Sequence, residues 1–335
     1  MPYSPDISDY AAIYHWWSHS EDKRVCRNLS YPIILSIATL RVQNPNLSIY
    51  VIDCSDDEYD WEDYPARLDF SVIRQKSAVE RVLTRREMWS QASGRLYAGR
   101  GPLSTAIDAL NDIDILDVRM SSKPLDVWAL SCLLPERYIL FCDCDVFWMK
   151  PLLPLANGSD TFSICDNNSG VYYFDKTEKS AIRWFRLWEA FTLLAVKDFD
   201  LRREMMSLYP FPNFVHDEKI LFYVRDLFPE VYEAAVTAIP PWEVLLPGDV
   251  GGSWADFETL VKSAHVTLKF MGCNRGRFPL FFREMFDGLR TIFSIKELHD
   301  IFGMTLFNNS LYEWKSLALP LNDKFYANLT SRINA

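Results

Sequence analysis

Two aspartates one residue apart, Asp143 and Asp145, follow the apolar run Tyr138-Ile139-Leu140-Phe141-Cys142 and precede Val146-Phe147-Trp148. Read as a strand, this run sends alternate side chains to opposite faces, so residues i and i+2 share a side. The two carboxylates then converge at the strand's carboxyl end, which is where ligands sit in open α/β sheets. Two hard oxygen donors with open positions suit Mg²⁺ or Mn²⁺ carrying a diphosphate. An Asp-x-Asp also serves plain turns; the apolar flanks and the closing Lys150-Pro151 set this one apart. Cys142 and Cys144 fall on the opposite side from the carboxylates. With no Cys-x-x-Cys elsewhere in the chain, a zinc site on that pair is a weak rival.

The elements that must position this pair are legible from periodicity. Residues 12–17 read as a first strand. A helix follows, with Ser30 as N-cap, Pro32 in its first turn, apolar residues at 33, 34, 37, 38 and 40, and a stop at Asn44-Pro45. Residues 47–52 form a second strand ending at Asp53, a position at a strand's carboxyl end where a base or ribose can be read. This strand–helix–strand unit implies a parallel, right-handed crossover. Residues 70–73 give a short third strand, and a helix over about 124–134 leads into the Asp143 strand. Strands at 161–165 and 171–174 flank a polar turn, helices cover 178–196 and 217–227, strands lie near 234–239 and 264–270, and the end is mainly helical.

Composition narrows the function classes. The chain has 335 residues, 49% of them hydrophobic, ample for a large core. Its net charge of −10 argues against a nucleic-acid binder that depends on phosphate contacts. No run of about 18 apolar residues appears, and the first residues lack a basic stretch and apolar core, so neither a membrane span nor a secretory signal is expected. An odd set of scattered cysteines, several in apolar runs, suits a reducing cytosol, so a cytoplasmic protein is expected. The abundant aromatic residues stack on sugar faces or fill cores, and core filling explains most of them. The acidic residues from 53 to 63 read as a solvated loop. The basic residues between 74 and 100 read as an exposed helix face or as a contact to an anionic acceptor or a membrane surface.

Four segments, in order, resemble the GT-A glycosyltransferases, and among them the family of glycogenin and the bacterial lipopolysaccharide galactosyltransferases. Lys123-Pro124-Leu125-Asp126-Val127-Trp128 is similar to a family segment whose Lys–Trp spacing is one residue shorter; there the Lys approaches the nucleotide-sugar. The Asp143–Asp145 pair resembles the family's metal-binding DxD motif. Asn168-Ser169-Gly170-Val171 looks like the turn that lines its sugar pocket. His216-Asp217-Glu218-Lys219 is similar to its Asp-Gln pair, with Glu218 in place of Gln. The resemblance implies a metal site on Asp143 and Asp145 completed by a His near the C-terminal end. Aligned on the histidine that residue is His265; aligned on Phe270-Met271-Gly272, Lys269 stands in its place. It further implies donor contacts from Lys123, Asp126, Asn168, Ser169, Gly170, Lys269 and Arg275, and catalytic roles for Asp217 and Glu218.

The expected protein is therefore an α/β chain of GT-A type, with a Rossmann-like, mixed but mostly parallel sheet flanked by helices. Residues 1–278 would form the catalytic domain, its nucleotide-binding half about 12–150 and its acceptor half about 151–278, with 279–335 as a helical C-terminal extension. The implied activity is Mn²⁺- or Mg²⁺-dependent sugar transfer from a nucleotide-sugar, a UDP-sugar by resemblance, to a glycan or other hydroxyl acceptor. Retention is favoured, and the Gln-to-Glu departure leaves an inverting base open. Two other readings stand beside it. One is an inactive relative that binds sugar nucleotides or partners an active enzyme. The other is a phosphatase of the aspartyl-nucleophile (HAD-like) type, whose motif carries Thr or Val where Phe147 stands here.

Overall fold

The computed structural model describes residues 6–17, 23–55, 60–78, 115–144, 146–148, 151–152, 162–165, 169–209, 217–239, 244–245, 267–269, 289, 291–294 and 297. After a 3-10 turn at Ile7–Asp9, whose N-cap Asp6 closes a capping box with Asp9, the chain runs β1 (Tyr10–Trp16), α1 (Lys23–Gln43), β2 (Ser48–Asp53), α2 (Tyr64–Leu68) and β3 (Ser71–Arg74). Then come α3 (Ile115–Ser131), β4 (Tyr138–Cys142), β5 (Val146–Trp148), β6 (Phe162–Cys165) and β7 (Val171–Asp175). They are followed by α4 (Lys179–Lys197), α5 (Phe199–Leu208), α6 (Asp217–Leu227), α7 (Pro229–Ala235), β8 (Val236–Ile239), β9 (Val244–Leu245) and β10 (Thr267–Lys269).

Seven strands form one sheet in the order β3-β2-β1-β4-β7-β6-β8. Neighbours are parallel except at β7, which runs against both β4 and β6. This mixed, mostly parallel sheet flanked by helices is the GT-A architecture that the sequence resemblance implies. β5, β10 and β9 form a smaller second sheet.

The central strands are buried along their whole length, which explains why β1, β4 and β7 are near-continuous apolar runs. Tyr10, Ala12, Tyr14 and Trp16 pack with Ile33, Ile34 and Ile37 of α1 in one core, and Ala11 and Ile13 pack with Val127 of α3 and Trp184 and Trp188 of α4 in the other. Much of the aromatic content is spent here: Trp148, Trp184, Trp188, Phe141, Tyr172, Phe174 and Phe185 are fully buried. Leu289 and Phe293, from the expected C-terminal extension, belong to the α1-side core, and Arg67 reaches Glu297 at 2.8 Å.

Two helices begin earlier than their prolines suggest. α1 starts at Lys23, so Ser30 and Pro32 lie inside it rather than at its cap; α3 starts at Ile115 and contains Pro124. Proline favours a first turn because it lacks an N–H, yet packing tolerates one missing rung of the ladder. α5 and α7 were not apparent in the sequence pattern. Among the described residues, no helix is long and apolar enough to cross a membrane. The basic stretch of residues 74–100 lies outside the described residues from 79 onward.

The end of β7 is tied to the start of β4. Tyr138 pairs with Asp175, whose buried carboxylate accepts from Arg137 Nε at 2.7 Å and from Thr177 N and Oγ1 at 2.9 and 2.6 Å. Burial would raise the Asp175 pKa, but the hydrogen bonds from Arg137 and Thr177 prevail and hold it below the ordinary aspartate value. A lowered folded pKa means stability that is present above the unfolded pKa and lost as pH falls through the folded one. Asp175→Ala is expected to cost about 2 kcal/mol near neutral pH, by the usual worth of charge-assisted bonds. In urea titrations the gap between wild type and variant should begin to narrow as the pH drops below about 3.9, the unfolded aspartate pKa, and close only below the lower folded value.

Candidate active site

The ladder that joins β4 to β7 builds the site. Cys142 pairs with Val171, and one step further Asp143 N donates to Gly170 O at 2.7 Å. This antiparallel register sets the Ser169-Gly170 turn directly across from the aspartate motif. Asp143 shares strand parity with Ile139 and Phe141, both in the core on the α3 and α4 side, whereas Cys142 belongs to the α1-side core. The cysteine thus faces away from the carboxylate, and burial pushes its thiol pKa well up.

α6 opens on this turn with both of its acidic residues in the first turn, where the helix dipole favours negative charge. Ser169 Oγ donates to Asp217 Oδ2 at 2.7 Å, and Ser169 N donates to Glu218 Oε1 at 3.0 Å. From α3, Lys123 reaches between the two carboxyl-bearing elements. Its Nζ lies 3.1 Å from Asp143 Oδ1, 3.1 Å from Asp217 Oδ2 and 5.8 Å from the centre of the Phe141 ring. Burial alone would lower the lysine pKa, but Asp143, Asp217 and Glu218 together outweigh it and hold the ammonium well above its ordinary range. The Asp217 side chain is 2% exposed, against 12% for Lys123 and 18% for Asp143, so the group is rooted in the core and opens at Asp143.

One ammonium therefore faces three carboxylates, before Asp145 is counted. Surplus negative charge on hard oxygen donors fits a divalent cation of the Mg²⁺ or Mn²⁺ class. The second sheet brings a further basic residue to this end. β10 runs antiparallel to β5 and sets Lys269 opposite Val146, the residue after Asp145, while Thr267 stands opposite Trp148. The register thus favours Lys269 as the neighbour of the aspartate motif. His265 precedes β10 in the sequence. Asp145, Asn168, His265 and Arg275 themselves lie outside the described residues.

Two further expected donor contacts, Asp53 and Asp126, are buried with protein partners of their own. Asp53 is 3% exposed, and its carboxylate accepts from Trp61 Nε1 and Ser55 N, each at 3.0 Å. Asp126 is fully buried, with Oδ2 3.0 Å from His15 Nε2 and Oδ1 accepting from Ala78 N at 2.8 Å and Gln75 Nε2 at 3.3 Å. Cys54 Sγ lies 3.5 Å from the same His15 nitrogen, and the three side chains form a second cluster of possible ligands. Sequence reading did not single out His15; a histidine near the end of a buried apolar strand is the one signal that marked it.

No family model and no curated protein sequence matches the chain. Solved structures similar to it in fold include glycosyltransferases. They include GlyE of Streptococcus pneumoniae, at 11% identity and a TM-score of 0.44 over 78% of this chain and 55% of GlyE, so that the chain spans about half of GlyE's length. Mouse xyloside xylosyltransferase 1 in its apo form is 12% identical, with a TM-score of 0.44 over 79% of this chain and 98% of that one. The galactosyltransferase LgtC, in complex with donor and acceptor sugar analogs, is 11% identical, with a TM-score of 0.45 over 87% and 99% of the two chains.

Proposed function

We propose that the chain is a metal-dependent glycosyltransferase that moves a sugar from a UDP-sugar to a hydroxyl of a glycan-type acceptor, with retention at the anomeric carbon. The observation that carries this reading is the convergence of Asp143, Lys123, Asp217, Ser169 and Glu218 at the carboxyl edge of β4. The catalytic unit would be residues 1–278, with 279–335 as an extension anchored through Leu289 and Phe293. Cys132 and Cys142, reduced among the described residues, suit a cytoplasmic setting.

In the reaction, the bond from the anomeric carbon to the diphosphate oxygen breaks and a bond to the acceptor oxygen forms on the same face. The acceptor's proton passes to the departing phosphate. Asp143 and Asp145 would hold a divalent ion, which when bound would supply Lewis-acid stabilisation of the leaving diphosphate. Lys123 fixes the Asp143 carboxylate and adds positive charge beside the sugar-phosphate bond, as would Lys269 and Arg275. Asp217 is buried and its Oδ2 is shared by Lys123 and Ser169, which makes it a positioning residue. Glu218 is half-buried and oriented by the Ser169 N–H, so it is the acidic side chain at this turn best placed to touch the sugar or the acceptor.

A thermal-shift panel of nucleotides and nucleotide-sugars, each with Mn²⁺ and with EDTA, tests the reading. A ligand at a hundredfold excess over Kd adds about 2.7 kcal/mol, so the expected result is a metal-dependent upward shift of a few degrees with UDP and one UDP-sugar. No shift with any nucleotide would overturn the proposal in favour of a relative without transfer. Stereochemistry is tested at Glu218. Glutamine keeps the oxygen that accepts from Ser169 N, so Glu218→Gln should retain transfer within about tenfold, whereas loss of a general base costs roughly a hundredfold or more. Inactivation of the variant would establish an inverting base instead.

A further inference from the structure

We propose that His15, Cys54 and Asp126 form a second metal site, distinct from the Asp143–Asp145 motif, that takes zinc and locks the carboxyl ends of β1 and β2 to α3.

His15 is the penultimate residue of β1, on the face that packs against α3. Cys54 follows β2 directly, and its N–H is held to Trp16 O at 2.8 Å. Asp126 comes from the α3 turn just after Pro124. Three elements far apart in sequence thus send one nitrogen, one sulfur and one oxygen donor to a common point, all within 4.8 Å of one another and all buried. The Nε2–Oδ2 and Nε2–Sγ separations are 3.0 and 3.5 Å. Ligands about 2.0–2.3 Å from a tetrahedral zinc stand about 3.3–3.8 Å apart, so both edges are near that geometry.

His15 Nε2 carries either an N–H or a lone pair. An N–H there donates to Asp126 Oδ2, whereas a lone pair there faces the Asp126 carboxylate, acceptor against acceptor. A cation gives all three lone pairs the same target. Neutral imidazole, thiolate and carboxylate balance Zn²⁺, leaving a buried site without net charge. Thiolate and imidazole donors select zinc over the Mg²⁺ or Mn²⁺ preferred by hard oxygens. The supporting shell is present, with Ala78 N and Gln75 Nε2 orienting Asp126 through Oδ1 while Oδ2 faces the cluster. On binding, the zinc–sulfur bond replaces the Cys54 S–H bond and the proton leaves to solvent.

The full chain, expressed with zinc in the medium and purified without chelator, should hold about one zinc per molecule by elemental analysis. Asp143→Ala should leave that zinc in place, while Cys54→Ala should lower zinc affinity more than about tenfold. Cobalt substitution of the wild-type chain provides a readout that needs no variant: ligation through Cys54 gives a thiolate-to-cobalt charge-transfer band. Absence of zinc with no such band, or a band that persists in Cys54→Ala, would overturn the assignment. The nucleotide-dependent thermal shift reports on the other site, so either proposal can fail without the other.

Discussion

Asp143→Ala is expected to lower sugar transfer by at least about a thousandfold, the scale of losing a metal and its stabilisation of a leaving group. Stability should change little. Asp143 is more open than Lys123 or Asp217, and Lys123 keeps Asp217 at 3.1 Å when the Asp143 carboxylate is removed. The loss in unfolding free energy should be about 1 kcal/mol, typical of a partly exposed pair. Asp145→Ala should behave alike, because the ion needs both oxygens. The measurement pairs a UDP-release assay with a melting curve and a calorimetric titration of UDP in the presence of Mn²⁺. Loss of both transfer and metal-dependent UDP binding, with a near-native melt, fits the proposed role. Full activity in either variant would remove the metal from the mechanism.

Local patterns carried most of the fold. β4 is readable as five apolar residues ending in a charged motif, and α6 as an acidic pair followed by a helical apolar face. The meeting of these segments was implied by resemblance, and the antiparallel step from Cys142–Val171 to Asp143–Gly170 gives it a physical cause. Helix starts were less legible. Ser30, Pro32 and Pro124 mark positions where a helix can begin, but whether it does is decided by what its earlier turns pack against. Asp126 shows the same limit. Near a proline it reads as a solvated first-turn residue or a sugar contact, and its pairing with His15, 111 residues away, depends on how α3 lies across β1. Likewise, the choice between His265 and Lys269 was open in the sequence; the pairing of β10 with β5 sets Lys269 opposite Val146, while His265 lies outside the described residues.

Removing the ammonium should have the opposite profile to removing Asp143. In Lys123→Met, Asp217 stays buried beside Asp143 and Glu218 and loses the ammonium that faces it, and removing one partner of a buried ion pair costs about 3–5 kcal/mol. Because Lys123 is held above its ordinary pKa, its contribution is fully present below the unfolded lysine value and is lost as pH rises through the folded one. The stability gap between wild type and variant should therefore be flat from neutral pH to about 10.4 and narrow above it. Urea titrations across that range provide the test. A second substitution, Asp217→Asn, should return part of the lost stability to the methionine variant by removing the stranded charge, without restoring transfer. A methionine variant as stable as wild type would mean that the three carboxylates do not depend on this ammonium. An intermediate loss that Asp217→Asn cannot relieve would place the cost in packing against Phe141 instead. Lys123→Arg separates charge from shape: it keeps the cation, but its planar fork replaces a single nitrogen lodged between two oxygens, so it should recover more stability than activity.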